Sequence, residues 1–312
     1  MNSIAVLDGA ATRVQEGTLR PESVLDLDAA TLQSKLNREP FLIGHKLADH
    51  PLFALPRLIE LSRRLPEDCV AYNSGDVPLG QGLYKGPRNG LSIEETIQRI
   101  EDCRSWMVLK FVEKDPEYAD LLNACLDEVK ALSEPFAPGM MKREGFIFIS
   151  SPGSITPLHV DPEYNFLLQL RGKKTVNVVD PADRTVLSER NLEDYYTGPS
   201  GEFVMDFEDR FHERAAVFEL TPGLGLHVPV TAPHWVENGG EVSISFSITF
   251  ETPFCDRRKA LYTLNARLRE LGVKNPIPVG QSRLVDDAKY CAFRAMRGAK
   301  RAVRSAKKMF GG

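Results

Sequence analysis

At Gly145 the chain changes texture. GFIFISS, NFLLQL, KTVNVVD, AAVFEL, GLHVPV and EVSISFSITF are short runs rich in β-branched and aromatic residues, separated by turn residues. Six such runs within about 110 residues predict an all-β sandwich or barrel. Between Pro181 and Arg214 a polar, acidic stretch carries Tyr195, Tyr196, Phe203 and Phe207. It is too long for a hairpin loop, so it is expected to leave the barrel and cover or border something.

Helical patterns flank this β region. Before it, Phe53, Leu55, Leu58, Ile59, Leu61 and Leu65 recur at helical spacing. Ser92 followed by Glu95 has the form of a capping box, and a further helix is expected from Pro116 to Leu132. Tyr72 to Gly90, with its Gly and Pro residues, reads as loop and short strand. After the β region, Leu261, Leu264, Leu268 and Leu271 form one apolar stripe, with Gly272 as its stop. A Pro-rich link, NPIPVG, leads to a last helix over about Val285–Met309. Three regions follow: 1–142, helical with short strands; 143–254, the barrel with its insertion at 181–214; and 255–312, helices ending in a basic tail.

Composition narrows the class. Hydrophobic residues make up 42% and charged residues 26% of the chain, which suits a substantial core and excludes disordered, collagen-like and coiled-coil sequences. No apolar run approaches the roughly 20 residues of a membrane helix. The first residues, MNSIAVLDGAATRVQEG, lack the basic start and apolar stretch of a secretory signal. Cys69, Cys103, Cys125, Cys255 and Cys291 are scattered, odd in number and without a CxxC pair. That argues against a disulfide framework or zinc–thiolate site and predicts a reducing, cytoplasmic setting.

The net charge of −4 is uneven. Arg283 to Lys308 holds nine basic and two acidic residues, a local +7, which leaves −11 for the rest. An acidic body argues against a surface wholly given to nucleic acid. The tail, with Tyr290, Phe293, Met296, Val303 and Phe310 among its cations, is expected to be a solvated helix face. Contact with an acidic partner, nucleic acid or a membrane surface is the alternative.

The chemistry concentrates in TPLHVD, residues 156–161. In a strand, residues i and i+2 share a face, so His159 and Asp161 project together. His234 lies 75 residues later in the same β region, and distant strands meet side by side in a rolled sheet. Two histidines and one carboxylate leave coordination positions open, which suits Fe(II) in an oxygenase, where substrate and O₂ both need a place. An HxD pair alone arises often by chance, and its plain alternative is a surface histidine bonded to a carboxylate. Thr156, three residues before His159, and Lys174, fifteen after it, add to the pattern. A 2-oxo acid chelating iron presents a far carboxylate, and burying that group requires a cation and a hydroxyl or amide donor. Arg171 and Lys173 are rival cations. Asn165, two pleats beyond Asp161, faces the same interior if the strand is unbroken. His227, opposite in parity to His234, reads as a satisfied strand histidine. His45, His50 and His212 read as surface or loop residues, and Trp235 is expected to pack outside the barrel.

TPLHVDPEYNFLLQLRGKK, followed by HVPVTAPHWVENGG and a Ser/Ile-rich strand, resembles the JmjC/cupin-like Fe(II)- and 2-oxoglutarate-dependent oxygenases. The likeness is greatest to the asparaginyl hydroxylase branch that acts on hypoxia-response factors and to bacterial cupin-like relatives. It runs from Phe146 to Thr249, and more loosely from Glu39 to Gly44. It implies a mainly β core, a double-stranded β-helix or jelly roll, with an α-rich N-terminal region and C-terminal helices. It also implies Fe(II) on His159, Asp161 and His234, and 2-oxoglutarate on Thr156, Lys174 and Asn165. Ser247 stands where the asparaginyl hydroxylases carry an Asn on the final strand, and Tyr84 is the candidate for a Tyr from the N-terminal half. Pro222-Gly223-Leu224 replaces the frequent PGD. The implied activity is hydroxylation or demethylation of a protein or peptide side chain, with a homodimer built through the C-terminal helices. A small-molecule oxygenase, a cupin metalloenzyme without 2-oxoglutarate and a non-enzymatic regulator are the competing readings.

Overall fold

The computed structural model describes residues 23–82, 86–198 and 203–310. Its strands pair into two antiparallel sheets. In chain order they are β1 (Leu25–Asp26), β2 (Phe41–His45), β3 (Val70–Ser74), β4 (Ser105–Lys110), β5 (Met141–Ser150) and β6 (Ile155–His159). After them come β7 (Tyr164–Arg171), β8 (Lys174–Val179), β9 (Ala215–Leu220), β10 (Leu224–Val228), β11 (His234–Asn238) and β12 (Ser243–Glu251). One sheet has eight strands in the order β1-β2-β10-β7-β12-β5-β4-β3, and the other has four, β6-β11-β8-β9. Strands distant in sequence are therefore neighbours, as in a jelly roll.

Alternation along the strands decides what each sheet face meets. In β12, Ile244, Phe246, Ile248 and Phe250 point to one side, while Ser243, Ser245, Ser247 and Thr249 point to the other. The apolar set joins Met107, Leu109, Ile147, Ile149, Phe166 and Leu168 in a core under three helices: α1 (Ala29–Lys35), α2 (Leu55–Arg64) and α4 (Pro116–Ser133). A second core lies between the sheets, with Leu167, Leu226 and Val228 against Val176, Val178 and Val236. On the outer face of the four-stranded sheet, Trp235, Leu158 and Val179 pack under the insertion through Leu192, Tyr196 and Phe211. Leu192 and Tyr196 belong to α5 (Glu189–Thr197), and Tyr262 reaches the same cluster from α6 (Pro253–Glu270). The insertion thus leaves the barrel and covers its back.

Local signals set the helix ends. Ser92 and Glu95 form the reciprocal capping box that opens α3 (Ile93–Gln98). Asp115 caps α4 and Pro116 fills its first position. Gly272, at φ +97°, follows the end of α6. The last helix, α7, spans Arg283–Phe310. Pro51 opens a separate 3-10 turn that takes in Phe53, so the helical run read from Phe53 to Leu65 contracts to α2.

Two of the histidines read as surface or loop residues have partners. His45 is buried, accepts from the Leu47 N–H at 3.1 Å and lies 3.2 Å from the Leu224 carbonyl. The His50 ring accepts from the Leu52 N–H at the 3-10 turn. His212 is exposed, with its ring edge-on to Phe207 and Trp235. Among the described residues no helix is long and apolar enough to cross a membrane.

Candidate metal centre and co-substrate pocket

His159 ends β6 and His234 begins β11, and the two are direct partners across the antiparallel pair. Direct partners share a face, so their rings lie 4.0 Å apart between centroids. Asp161 follows just beyond β6. One ligand atom from each of the three residues falls within 4.8 Å of the others. His234 is buried, while His159 and Asp161 are half-buried, which places the trio at the barrel mouth.

Backbone carbonyls orient both rings. His159 Nδ1 sits 2.7 Å from the Pro157 carbonyl, and His234 Nδ1 sits 2.9 Å from that of Ala232. Each Nδ1 therefore carries the proton and donates, which leaves each Nε2 lone pair for a metal. His234 Nε2 points toward Asp161, 3.6 Å from Oδ2. Burial, followed by the neighbouring His159, pushes the His234 imidazole down to about 4, so it is neutral near pH 7 as a ligand must be. Two imidazoles and a carboxylate on one side fit a divalent iron with open positions.

A chain of hydrogen bonds stands behind Asp161. Asn165 Nδ2 donates to Asp161 Oδ2 at 3.3 Å, and Ser247 Oγ donates to Asn165 Oδ1 at 2.7 Å. Asn165 and Ser247 thus brace the Asp161 carboxylate. His227 faces the other way, and its Nε2 accepts from the Asn37 N–H at 3.0 Å. Burial holds its imidazole down at about 3, so it stays neutral.

Thr156 and Lys174 meet the same interior. Thr156 is three residues from His159, an odd spacing that strict pleating would put on opposite faces. A register shift in β6 restores the common face: His159 pairs with His234, but Thr156 pairs with Val236. Thr156 Oγ1 accepts a 2.9 Å bond from Trp106 Nε1, a residue of β4 in the other sheet. Lys174 begins β8 and is 5% exposed, whereas Arg171 and Lys173 are exposed. Its ammonium has no carboxylate or hydrogen-bond partner among the described residues, and desolvation alone pulls it down to about 7. A buried, unpaired cation facing the barrel interior fits the far carboxylate of a dicarboxylate ligand. Tyr84 lies outside the described residues.

Sequence reasoning missed Trp106, because SWMVLK looks like any buried strand, and it missed Thr231 and Arg258, which no local pattern marks. It also missed Glu163, two residues beyond Asp161. Burial, then the negative charge of Asp161, pushes the Glu163 carboxyl well up.

Comparison with known proteins follows this geometry. The profile of the cupin-like domain matches residues 90–256, more than half of the chain. The chain belongs to the cupin-like family. JmjC domain-containing protein D of Dictyostelium discoideum is 29% identical over 109 residues, covering 32% of this cupin-like chain and 23% of that protein. Lysine-specific demethylase 8 of Xenopus tropicalis is 27% identical over 143 residues, 43% of this chain and 28% of that protein. The chain thus spans about a quarter of the length of these curated relatives. The X-ray structure of YcfD from Escherichia coli superposes with a TM-score of 0.52 at 15% identity, over 87% of this chain and 68% of that one. At that identity the likeness is one of fold, and it bears out the jelly-roll expectation.

Proposed function

We propose that this cupin-like chain is an Fe(II)- and 2-oxoglutarate-dependent oxygenase that hydroxylates, or through hydroxylation demethylates, a protein or peptide side chain. The observation that carries the reading is Lys174, a buried and unpaired cation opening onto the interior that holds His159, Asp161 and His234. A cupin metalloenzyme without 2-oxoglutarate has no use for such a group, whose burial costs stability until an anion meets it.

His159 Nε2, His234 Nε2 and an Asp161 carboxylate oxygen would hold the iron. Lys174 Nζ and Thr156 Oγ1 would bind the distal carboxylate of 2-oxoglutarate. When bound, the metal and co-substrate supply O₂ activation, with the 2-oxo acid decarboxylated to succinate as a C–H bond is oxidised. The protein's part is placement. Asn165 and Ser247 hold Asp161 in orientation, the Pro157 and Ala232 carbonyls hold the imidazoles, and Leu167, Val176, Val236 and their neighbours keep the interior dry.

Room for a substrate lies between the insertion and the start of α6. A cavity of about 170 Å³ is bounded by Pro162, next to Asp161, by Tyr195, Tyr196 and Phe203 of the insertion, and by Glu251 and Lys259. Aromatic walls with charges at the rim suit a side chain delivered from a polypeptide. The name of the Xenopus relative specifies lysine, which agrees with a side-chain substrate.

The deciding experiment is anaerobic. Protein, Fe(II) and 2-oxoglutarate are mixed, the visible metal-to-ligand charge-transfer band is recorded, and succinate is assayed after O₂ is admitted. The band is expected to appear in the parent, vanish in His159→Ala and weaken in Lys174→Ala. Bound metal with no band would replace the reading with that of another cupin metalloenzyme, and no bound metal would leave a binding protein.

A further inference from the structure

Thr231 lies in the turn between β10 and β11, three residues before His234. Its φ is +60°, a left-handed conformation that a β-branched residue adopts rarely and at a cost. Two bonds hold it there. Its N–H donates to the Asp161 carbonyl at 2.7 Å, and its hydroxyl accepts from the Arg258 guanidinium at 2.8 Å. The next residue, Ala232, supplies the carbonyl that fixes His234 Nδ1. One fully buried turn therefore ties the backbone of one metal ligand to the ring of another.

Arg258 reaches this turn from α6. Its guanidinium lies over the Tyr262 ring, 5.1 Å from the centroid, and Tyr262 stacks on Tyr196 of the insertion at 5.6 Å. Among the described residues no carboxylate forms an ion pair with it, and its Nε is buried without a partner. A partly buried cation with an orphaned donor and no counter-charge is a poor stabilising device. Its position secures the Thr231 hydroxyl and sets its charge beside the Tyr196 hydroxyl.

We propose that Arg258 is a positioning residue of the metal centre, acting through Thr231 to hold Asp161 and His234 in register. The inference rests on the metal reading given above. It makes the geometry of the site depend on α6 and, through the Tyr262–Tyr196 stack, on the docking of the insertion.

The test titrates Co(II) into the full chain, following its visible bands, beside thermal unfolding of the same samples. Arg258→Met keeps the stem and removes the donor, and it is expected to weaken Co(II) binding about tenfold or more, with altered band positions and an unfolding midpoint within a few degrees of the parent. Arg258→Lys should recover part of the affinity, and Thr231→Ser, which keeps the hydroxyl, nearly all of it. Thr231→Val alone and combined with Arg258→Met should be equally impaired, since both remove one interaction. Unchanged Co(II) affinity in Arg258→Met, or additive losses in the double variant, would overturn the proposal. So would affinity lost only in step with a large fall in the unfolding midpoint. A parent chain that binds no Co(II) would instead overturn the metal reading itself.

Discussion

A lysine buried to 5% exposure with no partner among the described residues is a cost that a fold carries only for a reason. Its ammonium, ordinarily near 10.5, is pulled down to about 7. Between those values the unfolded chain binds more protons than the folded one, so stability rises with pH across that window. Below about 7 the penalty is complete. Lys174→Met should therefore stabilise the ligand-free protein, by about 1–4 kcal/mol, and more at pH 6.5 than at pH 9, as urea unfolding at the two pH values would show. The same substitution should abolish 2-oxoglutarate binding. In the parent, affinity for this dianion should fall as pH rises above about 7, because the ligand selects the protonated amine. Lys174→Arg, charged throughout, should flatten that dependence in calorimetric titrations. Asn165→Ala would free the Asp161 carboxylate and leave Ser247 Oγ without its acceptor. The expected loss is 10- to 100-fold in metal affinity with the fold intact, read by Co(II) titration and circular dichroism.

At the scale of elements, the strand runs and most helix ends were legible because their causes are local. SISFSITF alternates in the sequence as it does in β12, and Ser92 with Glu95 closes the capping box expected of it. Less was legible where pairing bends a strand. Thr156 and His159 share the interior only because β6 shifts register against β11, and a bulge is a property of two strands together. The turn between β7 and β8 shows how a small signal carries function. Gly172 adopts φ +69°, and a Cβ there would fall 2.4 Å from the Val242 carbonyl oxygen. Gly172→Ala should cost more than about 2 kcal/mol in urea unfolding. It should also weaken 2-oxoglutarate binding, because Lys174 is two residues away. An unchanged unfolding midpoint would remove this turn from the account.

Across the whole molecule, residues before the barrel segment take a larger part than their helical texture suggested. β1 and β2 extend one edge of the large sheet and β3 and β4 the other, and β4 delivers Trp106 to Thr156. At the other end, Leu271, read with the α6 stripe, lies past the helix end and is 82% exposed, and Leu284 is 84% exposed; a homodimer through the C-terminal helices remains a proposal that would cover them. Replacing both with Glu should convert such a dimer to a monomer in sedimentation velocity, and an unchanged sedimentation coefficient would remove this surface from consideration. The sequence by itself determined the β core, its flanking helices and the His159–Asp161 pair, because period-two alternation and an i, i+2 spacing are written within a few residues. It also singled out the type of cation a dicarboxylate needs. Only the tertiary structure decided that Lys174, rather than Arg171 or Lys173, is buried. It alone joined Asp161 to Asn165 and Ser247, and stood Arg258 behind Thr231. Burial, register and partnership arise between segments far apart in the chain, and no local pattern encodes which distant side chain will fill the space opposite.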